Sequence, residues 1–273
     1  MITNYSLHSH TYRCGHASGD IEDYIKFAVA KKFQIYGVSD HVFLPGVKEP
    51  LTRGDYSLLG EYIDGYNRVK KKYLSQIKMY LGFECEYSDV LKDYYRYLLK
   101  EKGFDYLICG QHFSYDENKN RHGYDFELEE YRNLYLSEIS KAMESGLFLY
   151  IAHPDIFFMG ATEINEPFKI MTKKIIDLAI KYNAVLELNN HGIYRDHNRN
   201  GKTFIDYPCE YFWKEVSKTN IRVVYGGDYH VPEEIFDHTL EEKADKLIKA
   251  TNLKLADINE VYKEYQNQLK KIL

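Results

Sequence analysis

No C-x-x-C pair occurs among the four cysteines Cys14, Cys85, Cys109 and Cys209, which excludes a zinc ribbon and a disulfide framework and leaves reduced thiols as the expectation. No stretch approaches the roughly 20 apolar residues of a membrane span. The first residues show no secretory pattern, so a cytoplasmic protein that does not engage a membrane is expected. A basic excess is missing too: 36 Lys and Arg are well mixed among 41 Asp and Glu, for a formal net charge of -5. Without that excess a nucleic acid is not the expected partner. No Pro- or Ser-rich linker and no repeat interrupts the chain, which points to one domain over 1–273. Tryptophan occurs once against 27 tyrosines, several of them in helical segments (Tyr94, Tyr95, Tyr97), where amphipathic filler on half-buried faces is the expected role.

What is present suffices for a real core: 44% of the 273 residues are hydrophobic and 28% charged. Short apolar runs alternate with longer segments of helical period. The expected strands are Asn4–Leu7, Gln34–Ser39, Ile77–Phe83, Tyr106–Cys109, Phe148–Ala152, Ala184–Leu188 and Arg222–Tyr225. They are short and apolar, as buried parallel strands are. Asp20 is placed to cap a helix burying Ile21, Ile25, Ala28 and Val29. Ser88 precedes a helix carrying Val90, Tyr94 and Leu98 that stops near Gly103. Thr239 with Glu242 fits a capping box ahead of Ala244, Leu247 and Ile248. Strand followed by helix, again and again, is the pattern of an α/β fold, either a β/α barrel or a doubly wound sheet.

Most of the 11 histidines fall at the carboxyl ends of these strands, the face where both kinds of α/β fold place their sites. The first strand ends in His8-Ser9-His10, with His16 beyond it, and residues two apart on a strand share a side, so His8 and His10 can bind one ion together. Asp40-His41, Glu84, His112, His153-Pro154-Asp155, and Glu187 with Asn189 end the next five, and the last ends in Gly226-Gly227-Asp228-Tyr229-His230. A single strand-end histidine is ordinarily a hydrogen-bonded structural residue; their recurrence at strand after strand argues for metal. Nine potential ligands, His8, His10, His16, His41, Glu84, His112, His153, Asp228 and His230, exceed the needs of one ion and imply two or three clustered divalent ions. Imidazole and carboxylate suit Zn, Mn or Fe alike. Cys14 and Cys109 stand nearby in sequence but read as small buried apolar residues. Such ions, facing few carboxylates and neutral imidazoles, keep a positive excess that attracts an anion, and a phosphomonoester dianion meets it.

The ordered set H-x-H, H, D-H, G-x-E, H-F, A-H-P and G-D-x-H resembles the PHP (polymerase and histidinol phosphatase) superfamily over nearly the whole chain. The resemblance implies a distorted seven-stranded (β/α)7 TIM-like barrel with a trinuclear metal site. It implies that His8, His10, Glu84 and Asp228 surround one ion, that Glu84 bridges to a second held by His112 and His153, and that His16, His41 and His230 hold the third. Within the superfamily the chain looks most like stand-alone histidinol-phosphate phosphatases, on Gly82-Phe83-Glu84-Cys85-Glu86-Tyr87, Asp105-Tyr106, Glu187-Leu188-Asn189 and Tyr207-Pro208. The implied reaction is histidinol phosphate plus water to histidinol and phosphate, by in-line attack of a metal-bridging hydroxide. The chain departs from that pattern at Gly110-Gln111-His112, at Asn189-Asn190-His191-Gly192 and throughout 113–126. Rim loops select substrates, so these departures bear on which phosphorylated metabolite is taken.

The expected catalytic residues are Glu84, Asp228 and His230. Arg195 matches a basic position of histidinol phosphatases and can fork onto phosphate, with Arg199 and Arg13 as weaker candidates. His191 and His197 are candidates to protonate the leaving alkoxide. Asp40 is expected to orient a liganding histidine, and His122 and His238 to lie on the surface. Rival readings fare worse. Nucleotide-directed relatives carry Asp-His-Asp-Thr where this chain has Asp40-His41-Val42-Phe43. An amidohydrolase would bring an eighth strand and a strand-end lysine. A non-catalytic metal module would have lost ligands, and all nine stand.

Overall fold

Short runs of buried side chains, flanked by amphipathic helices, pair in parallel wherever a helix returns the chain to the same edge. The computed structural model describes residues 2–194, 198–199 and 201–273. Its strands are β1 (Tyr5–Ser6), β2 (Ile35–Val38), β3 (Lys78–Cys85), β4 (Tyr106–Cys109), β5 (Ser114–Tyr115), β6 (Arg121–His122), β7 (Leu186–Asn189), β8 (Asn198–Arg199), β9 (Lys202–Thr203) and β10 (Val223–Gly226). The helices are α1 (Ile21–Ala30), α2 (Leu59–Tyr73), α3 (Lys92–Glu101), α4 (Glu129–Ser145), α5 (Glu166–Tyr182), α6 (Glu210–Val216), α7 (His238–Thr251) and α8 (Ile258–Ile272).

A curled four-stranded parallel sheet runs in the order β1-β2-β3-β4, and β7 pairs in parallel with β10. The expected strand over 148–152 is reduced. Ile151 alone forms parallel bridges, to Cys109 on one side and Leu186 on the other, so the segment joins the two sheets without a regular ladder. Between β10 and β1 side chains take over the ladder's role. The amide of Tyr225 donates to the Tyr5 hydroxyl (3.2 Å) and that of Gly227 to Ser6 Oγ (3.2 Å), with a Ser9–Tyr229 bridge just beyond. These acceptors satisfy an edge that would otherwise offer unpaired N–H groups.

The helices follow their caps. Asp20 caps α1 in a capping box with Asp23, and Ile21, Tyr24, Ile25 and Ala28 are buried, whereas Val29 is only half-buried. The Thr239 box does not form. Asp237, two residues earlier, accepts from the amides of Thr239 (2.8 Å) and Leu240 (3.2 Å) and starts α7 there. Ser88 caps no α-helix with its side chain either: its hydroxyl donates to Tyr115 O (3.1 Å), α3 begins at Lys92, and Val90 is exposed.

Several tyrosines do more than fill half-buried faces. Buried Tyr62 and Tyr66 of α2 donate to Gly82 O (3.2 Å) and Met79 O (3.0 Å), pinning the helix to β3. From α3, Tyr95 donates to Glu86 O (2.6 Å) and Tyr94 to Phe43 O (2.7 Å). Tyr106 of β4 crosses the interior to Leu7 O (2.8 Å). Each pairs a buried hydroxyl with a carbonyl while its ring fills the core. All four cysteines are buried and free, and burial pushes the Cys14 and Cys209 thiols up to about 12. No helix among the described residues is long and apolar enough to cross a membrane.

Candidate metal centre

Glu84, near the end of β3, lies between two groups of histidines. Its Oε2 is 3.1 Å from His41 Nδ1, 3.4 Å from His10 Nε2 and 3.5 Å from His8 Nε2. Its Oε1 is 2.8 Å from His153 Nε2 and 3.6 Å from His112 Nε2. Asp228 Oδ1 lies 3.0 Å from His10 Nε2 and 3.4 Å from His8 Nε2. The rings of His16 and His230 complete the cluster: His230 is 4.4 Å from His10 and 5.1 Å from His16, and His16 is 5.3 Å from His41, centroid to centroid. The structure thus gathers all nine candidate ligands.

Backbone makes room for this crowd. A Cβ on Gly110 would stand 1.9 Å from Glu84 Oε1, and one on Gly226 would stand 1.8 Å from Glu187 Oε1. His153 (φ 30°) and Asp228 (φ 48°) hold left-handed backbone that side-chain-bearing residues rarely adopt. Such strain persists where the surroundings over-determine it, and functional sites are where it collects.

Partners outside the cluster fix which ring nitrogen faces inward. His16 Nδ1 lies 3.1 Å from Cys14 O and His230 Nδ1 lies 3.0 Å from Asp228 O. A carbonyl only accepts, so Nδ1 carries the hydrogen and Nε2 keeps its lone pair. Two carboxylates do the same for other rings: Glu187 Oε1 is 2.8 Å from His8 Nδ1, and Glu86 Oε1 is 3.3 Å from His112 Nδ1. Asn189 ties the far side together, donating to Glu187 Oε2 (2.9 Å) and Asp228 Oδ2 (3.1 Å) and accepting from the His191 amide (2.9 Å). Behind Glu86, buried Arg53 donates to Glu86 Oε2 (3.0 Å), Glu49 Oε2 (2.8 Å) and the Tyr115 hydroxyl (2.7 Å).

The cluster has the electrostatics of a ligand set. Burial pushes His41 well down and His10 to about 3, and it lowers His16 and His230, helped for His10 and His16 by the neighbouring His230; at these four rings the uncharged form is favoured. Burial opposes the charge on Glu84 and Asp228, yet the surrounding imidazoles, His112 and His8 foremost, hold both carboxyls well below the usual range, and in return the carboxylates raise His8 and His112 against the burial that would lower them. Buried His8 Nε2, His10 Nε2, His41 Nδ1 and Asp228 Oδ1 converge without hydrogen-bond partners. Buried polar atoms are normally satisfied, and cations are what several lone pairs aimed at one volume accept. The donor set therefore fits divalent ions. Compatible groups are His8-His10-Glu84, Glu84-His112-His153 and His10-His41-His230, each with ligand atoms within 4.8 Å of one another. His41-Glu86-His112 and His10-Cys14-Asp40 also qualify.

Other candidate residues fare differently. The His191 ring is 4.4 Å from that of His230 and lines the cavity above the cluster. Arg195 and His197 lie outside the described residues, and of Arg199 only its place in β8 is described. Arg13 is no phosphate ligand: its buried guanidinium pairs with Asp20 (2.6 Å) and Glu61 (2.8 Å). Asp40 holds the Thr11 amide (2.7 Å), with Oδ1 4.0 Å from His10 Nδ1, and burial pushes its carboxyl up to about 7. His122 and His238 are exposed. Sequence reasoning named Glu86 and Glu187 without seeing their task as ring-orienting partners. The signal for Glu86 was there, since it stands two residues past Glu84, just beyond the end of β3, where an extended chain brings a side chain back to the same face.

The cavity over the cluster has a volume of about 470 Å³. Comparison with known proteins finds relatives along most of the chain. A probable histidinol-phosphatase of Deinococcus radiodurans is 24% identical over 234 residues, covering 84% of this chain and 86% of that one. A probable phosphatase of Acetivibrio thermocellus is 25% identical over 234 residues, covering 84% and 80%. Among solved structures, histidinol phosphate phosphatase of Lactococcus lactis, complexed with zinc, L-histidinol and phosphate, superposes with a TM-score of 0.66 at 17% identity, covering 92% of this chain and 94% of that one. The PHP domain family model matches residues 6–191, a span that carries His8 through His153 and stops short of Asp228 and His230. The chain belongs to the PHP domain family.

Proposed function

We propose that this protein is a metal-dependent phosphomonoester hydrolase and that its substrate is histidinol phosphate. The observation that supports this most is Glu84, whose two oxygens face two separate sets of imidazoles, the arrangement of a carboxylate shared between ions. Two or three divalent ions, Zn, Mn or Fe, would be held by His8, His10, Glu84 and Asp228, by Glu84, His112 and His153, and by His16, His41 and His230. When bound, they would activate water and neutralise the phosphoryl oxygens. The protein's own part is to turn imidazole Nε2 atoms inward through Glu86, Glu187 and the carbonyls of Cys14 and Asp228, and to keep both inner carboxylates ionised. Water oxygen then bonds phosphorus, the ester P–O bond breaks, and the leaving oxygen takes a proton. His191, on the cavity wall, and His197 are the donors we assign to that step, with Arg195 and Arg199 as phosphate contacts.

The bridges at Ile151 and between Ser9 and Tyr229 support reading the curled sheet and the β7–β10 pair as one distorted seven-stranded TIM-like barrel within a single domain over 1–273. The reading also makes the protein cytoplasmic, with a small phosphorylated metabolite as its partner. Purified protein loaded with Mn or Zn should release phosphate from histidinol phosphate faster than from nucleoside monophosphates or sugar phosphates. Strong turnover of another member of that panel, with none of histidinol phosphate, overturns the substrate and leaves the phosphatase; no turnover of any member overturns both.

A further inference from the structure

One side of the cavity is aromatic, and the ion ligands do not account for it. Phe113, Tyr124 and Phe126 line it beside His112, whose ring is 6.2 Å from that of Phe113. All three lie in or beside the β5–β6 hairpin, in the stretch 113–126. The hairpin is fastened from below by a buried carboxylate. Glu138 of α4 accepts from the Ser114 hydroxyl (2.5 Å), the Tyr124 hydroxyl and the Gln111 amide (3.2 Å), and that amide also donates to the Tyr124 hydroxyl (3.0 Å). Tyr124 and Phe126 stack at 5.5 Å with their planes 18° apart, and both rings meet Tyr135 edge-on at 5.3 Å. At the other end the Arg121 guanidinium sits 4.4 Å over the Phe113 ring, donates to Thr52 Oγ1 (2.8 Å) and has its Nε 3.5 Å from Glu49 Oε1, which meets its charge. Leu51 and Met159, 80% and 46% exposed, continue the apolar surface to the mouth. Among the described lining residues, the carboxylates are Glu84 and Asp228, both already enclosed by imidazoles, and no Lys or Arg lines the cavity.

Rings held this firmly are preorganised to receive another ring, because aromatic side chains gain from offset or edge contact beyond simple area burial. We infer that the segment 113–126 is the leaving-group wall and selects phosphomonoesters whose alcohol carries a flat unsaturated ring. This rests on the phosphomonoesterase reading and adds to it a specificity element, the segment that receives the ring of the leaving alcohol.

Two measurements on Mn-loaded protein separate the wall from the reaction. Calorimetry compares phenylphosphonate with methylphosphonate, neither of which can be hydrolysed. Phenylphosphonate should bind about tenfold tighter, an advantage that Phe126→Leu and Phe113→Leu reduce by keeping apolar bulk while removing the ring. Equal affinity, or no binding of either, overturns the wall. Kinetics compares phenyl phosphate with glycerol phosphate. The ratio of their kcat/KM values should fall about tenfold in Phe126→Leu. An unchanged ratio overturns the wall even where both rates drop. If wild-type protein hydrolyses no phosphomonoester, the enzymatic reading fails, and the phosphonate comparison still decides the wall.

Discussion

The ion pit and the aromatic wall share one cavity and are built by opposite means. The pit is made of residues at or just beyond successive strand ends; His8, His10, His41, Glu84, His153 and Asp228 are buried, and the rings of His8, His16, His112 and His230 are each fixed by a carbonyl or carboxylate behind them. The wall stands on a two-residue hairpin, its rings half-buried and its anchor a single carboxylate on α4. Chemistry that needs sub-ångström placement sits on the sheet, where the ladder sets position, and discrimination sits on a loop that can change without disturbing the ligands.

Substitutions on either side sharpen that contrast, and the largest effect should come from the pit. Glu84→Ala should cut phosphate release by on the order of 10³-fold or more with the fold intact by circular dichroism, because it removes a ligand shared between ions and no core packing. Gly110→Ala should follow: its new Cβ collides with Glu84 Oε1, and a displacement of about 1 Å at a reacting centre costs roughly 10²-fold. Glu187→Gln should weaken metal binding about 10–100-fold in a chelator competition, since the partner of His8 Nδ1 loses its charge. Arg53→Met should raise KM for metal less than Glu187→Gln does, because Arg53 reaches His112 only through Glu86; an equal or larger effect would place the Arg53 network inside the pit.

The smallest effect belongs to the wall and concerns pH. Burial raises the Glu138 carboxyl above its ordinary value, against hydrogen bonds from Ser114, Tyr124 and Gln111. A group whose folded pKa is raised binds more protons in the folded state, so its contribution is fully present below about pH 4.3, the unfolded value, and is lost as pH rises through the folded one. Thermal melts of Glu138→Gln against wild type should show a shallower loss of stability from pH 4 upward, Gln being the neutral isostere. A steeper loss in the variant would contradict the assignment.

The pit was legible in the sequence because strand geometry converts spacing into position. Two residues apart means one side, so His8 with His10 needed no structure to be paired, whereas Asp228 with His230 repeats the spacing beyond the end of β10, on left-handed backbone where that alternation does not hold. The wall was not legible. Ser114–Tyr115 and Arg121–His122 are too short to carry a period, and what fixes them, Glu138, lies more than a dozen residues further along the chain. Local rules failed where a competitor stood close by: Asp237 took the cap from Thr239, and the Ser88 hydroxyl went to a tertiary carbonyl. The stretch 148–152 has a strand's composition and a strand's neighbours, but only Ile151 meets both of them in register. The tyrosine hydroxyls escaped notice because a hydrogen bond to a distant carbonyl leaves no mark on helical periodicity.

The joint between β10 and β1 has one more consequence. There, a phenol and a serine hydroxyl stand in for rungs, and the amide that Ser6 receives belongs to Gly227, the residue just before Asp228. The splice of β10 to β1 thus abuts one wall of the pit. Because side chains and not a ladder close the sheet there, the spacing of Asp228 from His8 depends on Tyr5 and Ser6, two residues that take no part in the pit.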